Sequence, residues 1–221
     1  MARVKSAQTS LTGAALVRLL EALTEPTAAV RPARASFADG LVQWVGWADA
    51  IALSAALERP PVAGGMDGAE ASEFDARVEC ERVRASVAQS VAREVASTDE
   101  DMGYSLFRRR YAYQQQAMED AIGALRERIR AAVASRSPAL ARLAAVDAVM
   151  AQSLSGHERR LLANIPGLME RHYRRLQREH EGRGEWVDLF REDMQAVLMA
   201  ELDLRLQPVE GLTEALTPET V

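Results

Sequence analysis

Apolar residues recur at steps of three and four along most of the chain, which is the spacing of one face of an α-helix. The longest such pattern predicts a helix over Tyr104–Ser135. Its stripe consists of Phe107, Tyr111, Gln114, Met118, Ile122, Leu125, Ile129 and Ala132. A seam of this length is typical of coiled-coil-like packing. No alternating run is bounded by hairpin turn signals, so the pattern predicts an all-α fold.

The same periodicity predicts further helices before and after this fourth helix. They cover residues 12–23, 36–58, 72–96, 138–152, 155–182 and 185–207, with a short last helix at 209–216. We therefore expect a bundle of about six to seven helices, mostly antiparallel. In the second helix the stripe reaches Ala52 and Ala55, and Ile51 widens it. In the third and sixth helices, Val78 and Leu161 belong to the predicted inner faces.

Three local signals set the predicted helix ends in the second half of the chain. Ser155 and Glu158 have capping-box spacing, which predicts a helix start there. Pro166 lies inside the pattern that follows and predicts a kink or a break. Pro208 is expected to stop the seventh helix.

The distribution of proline and glycine predicts the domain organisation. Residues 59–72, RPPVAGGMDGAEAS, read as a flexible linker. Residues 1–58 then form an N-terminal helical pair, and residues 73–221 form the helical bundle. We expect the whole chain to make one compact unit.

Composition and cysteine content indicate a compartment. Ala, Leu, Arg and Glu make up about half of the 221 residues, as expected for packed helices. Cys80 is the single cysteine, so an intrachain disulfide is impossible and a reducing compartment is favoured. The longest nearly uncharged run, residues 41–57, is short for a bilayer span and carries Gln43 and Asp49. We predict a cytoplasmic protein without a signal peptide or a transmembrane segment.

Charge is unevenly distributed along the chain, whose net charge is −5. Residues 70–103 and 185–221 are acidic, and residues 104–136 and 156–184 are basic. One interpretation, which we favour, pairs the third helix with the fourth and the sixth with the seventh. The other assigns an anion-binding patch for phosphates or acidic lipid headgroups to Arg171, Arg174, Arg175, Arg178 and Arg183.

Catalytic and metal-binding motifs are absent from the sequence. The three histidines, His157, His172 and His180, lack chelating spacing, and no nucleophile elbow or phosphate-binding glycine loop occurs. We predict no metal, no cofactor and no catalytic residues. Asp49 is the buried-polar candidate, because it interrupts an apolar helix. A helical enzyme stays a remote alternative that needs a pocket around Asp49, Cys80 or a histidine.

Two blocks of sequence resemble a known family. LVQWVGWADAIALSAAL at residues 41–57 and MAELDLRLQPVEGL at residues 199–212 resemble the two ends of an all-helical proteobacterial family, domain of unknown function thirty-three forty-eight. The resemblance covers nearly the whole chain but implies no activity and no functional residues. Members of this family tend to be encoded near an OmpA-like protein. The resemblance thus implies a cytoplasmic accessory to an envelope-associated assembly.

These observations favour a non-enzymatic protein that binds another protein or acts as a scaffold. Phe107, Tyr111, Gln114 and Met118 are a candidate interaction seam for a homodimer, and the equal alternative is that they form the core of a single chain. The second hypothesis is nucleic-acid or anionic-surface binding through the arginine patch, although the negative net charge makes nucleic acid an unfavourable partner.

Overall fold

The computed structural model describes residues 12–23, 47–58, 74–96, 103–180 and 185–217. These residues form the helices α1 (Thr12–Leu23), α2 (Trp47–Glu58), α3 (Ala76–Ala96), α4 (Tyr104–Arg136), α5 (Pro138–Leu162), α6 (Ile165–Glu179) and α7 (Glu185–Ala215). No strand occurs within these ranges. The prediction of an all-α fold is confirmed.

One face of α4 lies in the core along most of the helix. The eight residues of the predicted stripe are all buried, and none of them is more than 6% exposed. Each large apolar side chain buried in this way contributes roughly 1.5–3 kcal/mol relative to an exposed one. The spacing of the stripe residues therefore predicted the length of the fourth helix and its buried face.

The chain divides into two compact units. Among the described residues, unit 1 comprises α1, residues 81–96, 104–122, α6 and 185–208. Unit 2 comprises α2, residues 74–80, 123–136, α5 and 209–217. Within unit 1, α1 contacts α6, and within unit 2, α2 packs against α5. The predicted linker at residues 59–72 lies outside the described residues, so the N-terminal pair joined by a linker stays a prediction.

The boundary between α5 and α6 differs from the predicted one. α5 continues through Ser155 and Glu158, so the capping-box start was wrong. The Ser155 hydroxyl donates to the carbonyl oxygen of Gln152 at 3.0 Å, instead of accepting a backbone N–H. The break follows at residues 163–164, and Pro166 stands in the first turn of α6, where its missing N–H costs no helical hydrogen bond.

α7 continues past Pro208, where the sequence predicted its end. The helix reaches Ala215, so the separate short helix at 209–216 is the last part of α7. Pro208 is exposed, whereas Val209, Leu212 and Thr213 beyond it are buried. Burial of this last segment offsets the hydrogen bond that proline cannot donate.

The orientation of α2 is also different from the predicted one. Ile51, Ala52 and Ala55 were assigned to the inner stripe, and all three are exposed. The half-buried positions that share one face are instead Asp49, Leu53 and Ala56. Because α2 carries apolar residues on every side, the spacing of these residues does not indicate which face is buried.

The prediction of an inward-facing side chain was also wrong at one position on α3 and one on α5. Val78 on α3 is 53% exposed, and Leu161 on α5 is 60% exposed. Leu162, the next residue, is buried and takes the core position at the end of α5. Because α5 continues through the predicted boundary at residues 152–155, Leu161 belongs to α5 and faces outward, whereas the sequence assigned it to the inner face of a separate helix.

Candidate functional site

The arginine-rich helix α6 has an outward and an inward set of basic side chains. Arg171, Arg174 and Arg178 recur at steps of three and four and are all exposed. Arg174 pairs with Glu170 on the same helix at 2.5 Å. Within the part of the chain that the structure describes, Arg171 and Arg178 form no ion pair. Arg183 lies outside the described residues.

Arg175, the remaining member of the predicted patch, points inward and contacts a buried histidine. Its guanidinium donates to Nδ1 of His172 at 3.0 Å. Nδ1 is therefore an acceptor, so the ring proton is on Nε2, which donates to Asp193 of α7 at 2.6 Å. His172 is 3% exposed and its ring lies against Phe190. Both nitrogens of the imidazole are thus occupied within unit 1.

Predicted charge pairing between helices is found most clearly for α3 and α4. Arg110 of α4 contacts Glu94 at 3.4 Å, and Arg128 contacts Glu79 at 2.8 Å. Between α6 and α7, the His172 ring donates a hydrogen bond to Asp193, and the exposed Arg171, Arg174 and Arg178 form no ion pair with the described residues of α7. The acidic residues of α7 therefore do not neutralise the arginines on the outer face of α6.

The candidate interaction seam lies in the interior of unit 1. Phe107, Tyr111, Gln114 and Met118 are each at most 1% exposed. Gln114 exchanges hydrogen bonds with Ser90 of α3 at 3.3 and 3.4 Å. These positions agree with the alternative that the seam is the core of a single chain.

A carboxylate that sequence reasoning missed lies beside this seam. Glu201 of α7 is 0% exposed and accepts hydrogen bonds from the Tyr111 hydroxyl and from Nε2 of Gln115, the latter at 3.0 Å to both oxygens. Arg205 lies 4.0 Å away on the same helix. The signal was present, because Glu201 follows Val197 by four residues on the stripe of α7.

The environments of three tyrosines in unit 1, Tyr104, Tyr111 and Tyr173, oppose ionisation of their hydroxyls. Burial raises the pKa of Tyr111 far above its ordinary value of 10.0, and the charge of Glu201 and the hydrogen bond to it add to the effect. Burial, followed by the charge of Glu170, also raises the pKa of Tyr104, which donates to the carbonyl oxygen of Pro166. Burial raises the pKa of Tyr173.

Aromatic rings fill the space between α4, α6 and α7 in unit 1. Tyr104 and Phe107 pack on Tyr173, with ring centroids 5.5 and 5.7 Å apart. Phe190 meets Phe107 edge-on at 4.9 Å, and Trp186 meets Tyr173 at 5.0 Å. Phe190 also lies against the ring of His172. Phe107, Tyr173 and Phe190 are buried, and Tyr104 and Trp186 are half-buried.

Unit 2 contains a half-buried carboxylate, that of Asp147, that the sequence did not reveal. Asp147 of α5 accepts from Arg126 of α4, with one contact of 2.9 Å, and lies 3.3 Å from Arg130. Its side chain is 12% exposed. In an alanine-rich helix without a marked stripe, no periodic signal separates this aspartate from an exposed one.

Asp49 and the cysteine occupy different settings. Asp49 is half-buried on the face of α2 that also carries Leu53. Cys80 is buried, with its Sγ 3.5 Å from the hydroxyl of Thr213. In the described ranges, no group of three or more His, Cys, Asp or Glu side chains is placed to hold a metal ion.

None of the described helices combines the length and the apolar character needed to cross a bilayer.

A family model matches residues 1–218, which is nearly the full length. The chain belongs to the family described as "Protein of unknown function (DUF3348)". The family to which the sequence blocks pointed is therefore confirmed. No curated protein and no solved structure matches the chain.

The alkaline stability of the protein tests the environment of Tyr111. A tyrosine in the unfolded chain ionises near pH 10, whereas Tyr111 in the folded chain stays protonated to higher pH. Its stabilising contribution is therefore complete below about pH 10 and is lost as the pH rises further, by up to about 1.4 kcal/mol per pH unit.

We expect Tyr111→Phe to flatten the fall in the free energy of unfolding above about pH 10. Urea unfolding at a series of alkaline pH values measures this slope. Equal slopes in the variant and the natural protein would contradict the assigned environment.

Proposed function

We propose that this protein is a non-enzymatic interaction protein that docks another protein through the outer face of α2. The observation that carries the proposal is the exposure of large apolar side chains on this helix. Ile51 is 55% exposed and Leu57 is 57% exposed. Ala50, Ala52 and Ala55 extend the exposed apolar surface.

An apolar outer face is unusual for a helix at a protein surface. A surface helix normally presents charged and polar residues to water and apolar residues to the core. On α2 the half-buried side includes Asp49, and the exposed side has few polar residues, among them Ser54 and Glu58. Large apolar side chains exposed on one helix are a feature of many protein-binding sites.

The interior polar groups support a non-enzymatic role. Glu201, His172 and Asp147 are each engaged by neighbouring side chains of the same unit. A general acid or base must reach a substrate, and these three groups are instead used in the packing of helices. The proposed role therefore depends on the surface of the protein.

The proposal also includes a cellular compartment and an assembly. The single cysteine supports a cytoplasmic location. The assignment as a proteobacterial accessory of an envelope-associated assembly, with a scaffold role, rests on the family resemblance alone.

Substitution of the exposed apolar residues tests the docking face. The full chain is used to capture partners from its host, and the recovered partner is then purified and its Kd is measured. We expect Ile51→Glu and Leu57→Glu each to weaken binding about tenfold or more, because a buried side chain of this size contributes roughly 1.5–3 kcal/mol.

Leu161→Glu is the matched control, because Leu161 is 60% exposed and lies on α5. It should leave the Kd unchanged. Equal binding by the α2 variants and the natural protein would overturn the proposal, as would a monomer that captures no partner.

The outer arginines of α6 support a second candidate function, which is binding of nucleic acid or another anionic surface. The specific observation is that Arg171 and Arg178 are exposed and form no ion pair with any described residue. Arginine binds phosphate oxygens through two parallel N–H groups, so such a stripe fits a phosphate backbone or lipid headgroups. The negative net charge of the chain opposes this function at long range.

Salt dependence measures this candidate function directly. We expect Arg171→Ala with Arg178→Ala to weaken binding to duplex DNA or to anionic vesicles, and on DNA to reduce the slope of log Kd against log salt by about 2. Arg108→Ala with Arg109→Ala is the control, because both side chains are exposed on α4. Background binding by the natural protein would exclude the function.

A further inference from the structure

We propose that a cleft in unit 2 binds a small molecule that carries one carboxylate or phosphate and an apolar group. This site is independent of the docking face on α2. The cleft lies where the N-terminal end of α3, the C-terminal end of α4 and the C-terminal end of α7 meet. It is lined by Phe74, Asp75, Ala76, Arg77, Arg136, Thr213, Leu216 and Thr217.

The size of the cleft suits a small organic ligand. Its volume is about 420 Å³. Sites for small molecules and cofactors are typically concave and enclose roughly 300–1,000 Å³. The volume leaves room for more than a bare inorganic ion.

Two arginines give the cleft its positive charge. Arg136 is exposed and forms neither an ion pair nor a hydrogen bond with any residue in the described ranges. Arg77 donates one hydrogen bond to the Thr217 hydroxyl at 3.1 Å, and no acidic partner is found for it in the same ranges. Most N–H donors of both guanidinium groups remain for a ligand, and planar guanidinium groups favour carboxylate and phosphate.

The acidic residue of the cleft is already engaged. Oδ1 of Asp75 accepts from the backbone N–H groups of Arg77 at 2.9 Å and Val78 at 3.2 Å. This contact caps the first turn of α3 and uses the carboxylate locally. Asp75 therefore does not occupy either arginine, and the charge left in the cleft is positive.

The remaining lining indicates an apolar portion of the ligand. Phe74 and Leu216 are half-buried and present hydrocarbon surface. The Thr213 hydroxyl donates to the carbonyl oxygen of Val209 at 2.9 Å, so it is engaged within α7. The polar recognition thus falls to the arginines, and Phe74 and Leu216 receive the rest of the molecule.

A purely structural role for Arg136 gives a different expectation. A cation in the last turn of a helix stabilises the negative end of the helix dipole, and Arg136 has this position in α4. Arg93 has the same position in α3, is exposed and does not line the cleft. Arg93→Ala is therefore a matched control for the loss of a dipole contact.

The test is a titration of the full ¹⁵N-labelled chain followed by NMR at constant ionic strength. Benzoate and phenyl phosphate are the anionic probes, and benzyl alcohol is the neutral one. We expect saturable shifts of the backbone amides of Ala76, Arg77, Leu216 and Thr217 with at least one anion. Arg136→Ala should weaken that binding about tenfold, Arg136→Lys should weaken it less, and Arg93→Ala should leave it unchanged.

The outcomes separate the ligand classes. Tighter binding of benzoate assigns a carboxylate, and tighter binding of phenyl phosphate assigns a phosphate. The proposal is overturned if neither anion gives saturable shifts at these amides, or if benzyl alcohol binds as tightly as the anions. It is also overturned if Arg136→Ala and Arg93→Ala have equal effects. Circular dichroism verifies folding, and Arg136→Gln replaces the alanine variant if that variant does not fold.

Discussion

One face of α4 is buried from Phe107 to Ala132, and a carboxylate of α7 reaches that face. Removal of Glu201 from water costs several kcal/mol unless hydrogen bonds replace the lost hydration. Tyr111 and Gln115 supply those bonds from α4. Because a shift of either helix along its axis would leave the carboxylate without these donors, this contact fixes the register of α7 against α4 within unit 1.

The same requirement explains how charge is divided between the interior and the surface. Arg110 and Arg175 turn inward, where Glu94 and His172 accept their hydrogen bonds. The neighbouring Arg109 and Arg174 face outward on the same helices. Segments that are equally basic in sequence therefore contribute both to helix packing and to a surface that a partner can reach. The proposals for function use the second group only.

Sequence periodicity predicted the elements whose two sides differ most. The stripe of α4 is buried at every predicted position, and the Ser137 hydroxyl caps α5 by accepting from the N–H of Leu140 at 3.2 Å. α2 could not be oriented, because apolar residues surround it and Ile51 looks as suitable for the core as Leu53. The helix end predicted at Pro208 was wrong for another reason. Val209 and Leu212 beyond it are buried by tertiary packing, which local sequence signals do not show.

The candidate sites were harder to predict than the helices. The spacing of Arg171, Arg174 and Arg178 revealed a shared face, but it did not reveal that Arg175 would turn towards His172. The cleft of unit 2 joins Arg77 of α3, Arg136 of α4 and Thr217 just after α7, which are far apart in sequence. No spacing within one segment encodes such a meeting, because it depends on how the helix ends pack.

A double-mutant cycle between Tyr111 and Glu201 tests the central contact most directly. Free energies of unfolding are measured for Tyr111→Phe, Glu201→Met and the double variant, and Tyr113→Phe, whose side chain is 63% exposed, replaces Tyr111→Phe in a control cycle. The account predicts a coupling energy of about 1–3 kcal/mol for Tyr111 with Glu201 and additivity within about 0.5 kcal/mol for the control. Additive effects in both cycles would contradict the claim that this hydrogen bond sets the register of α7 on α4.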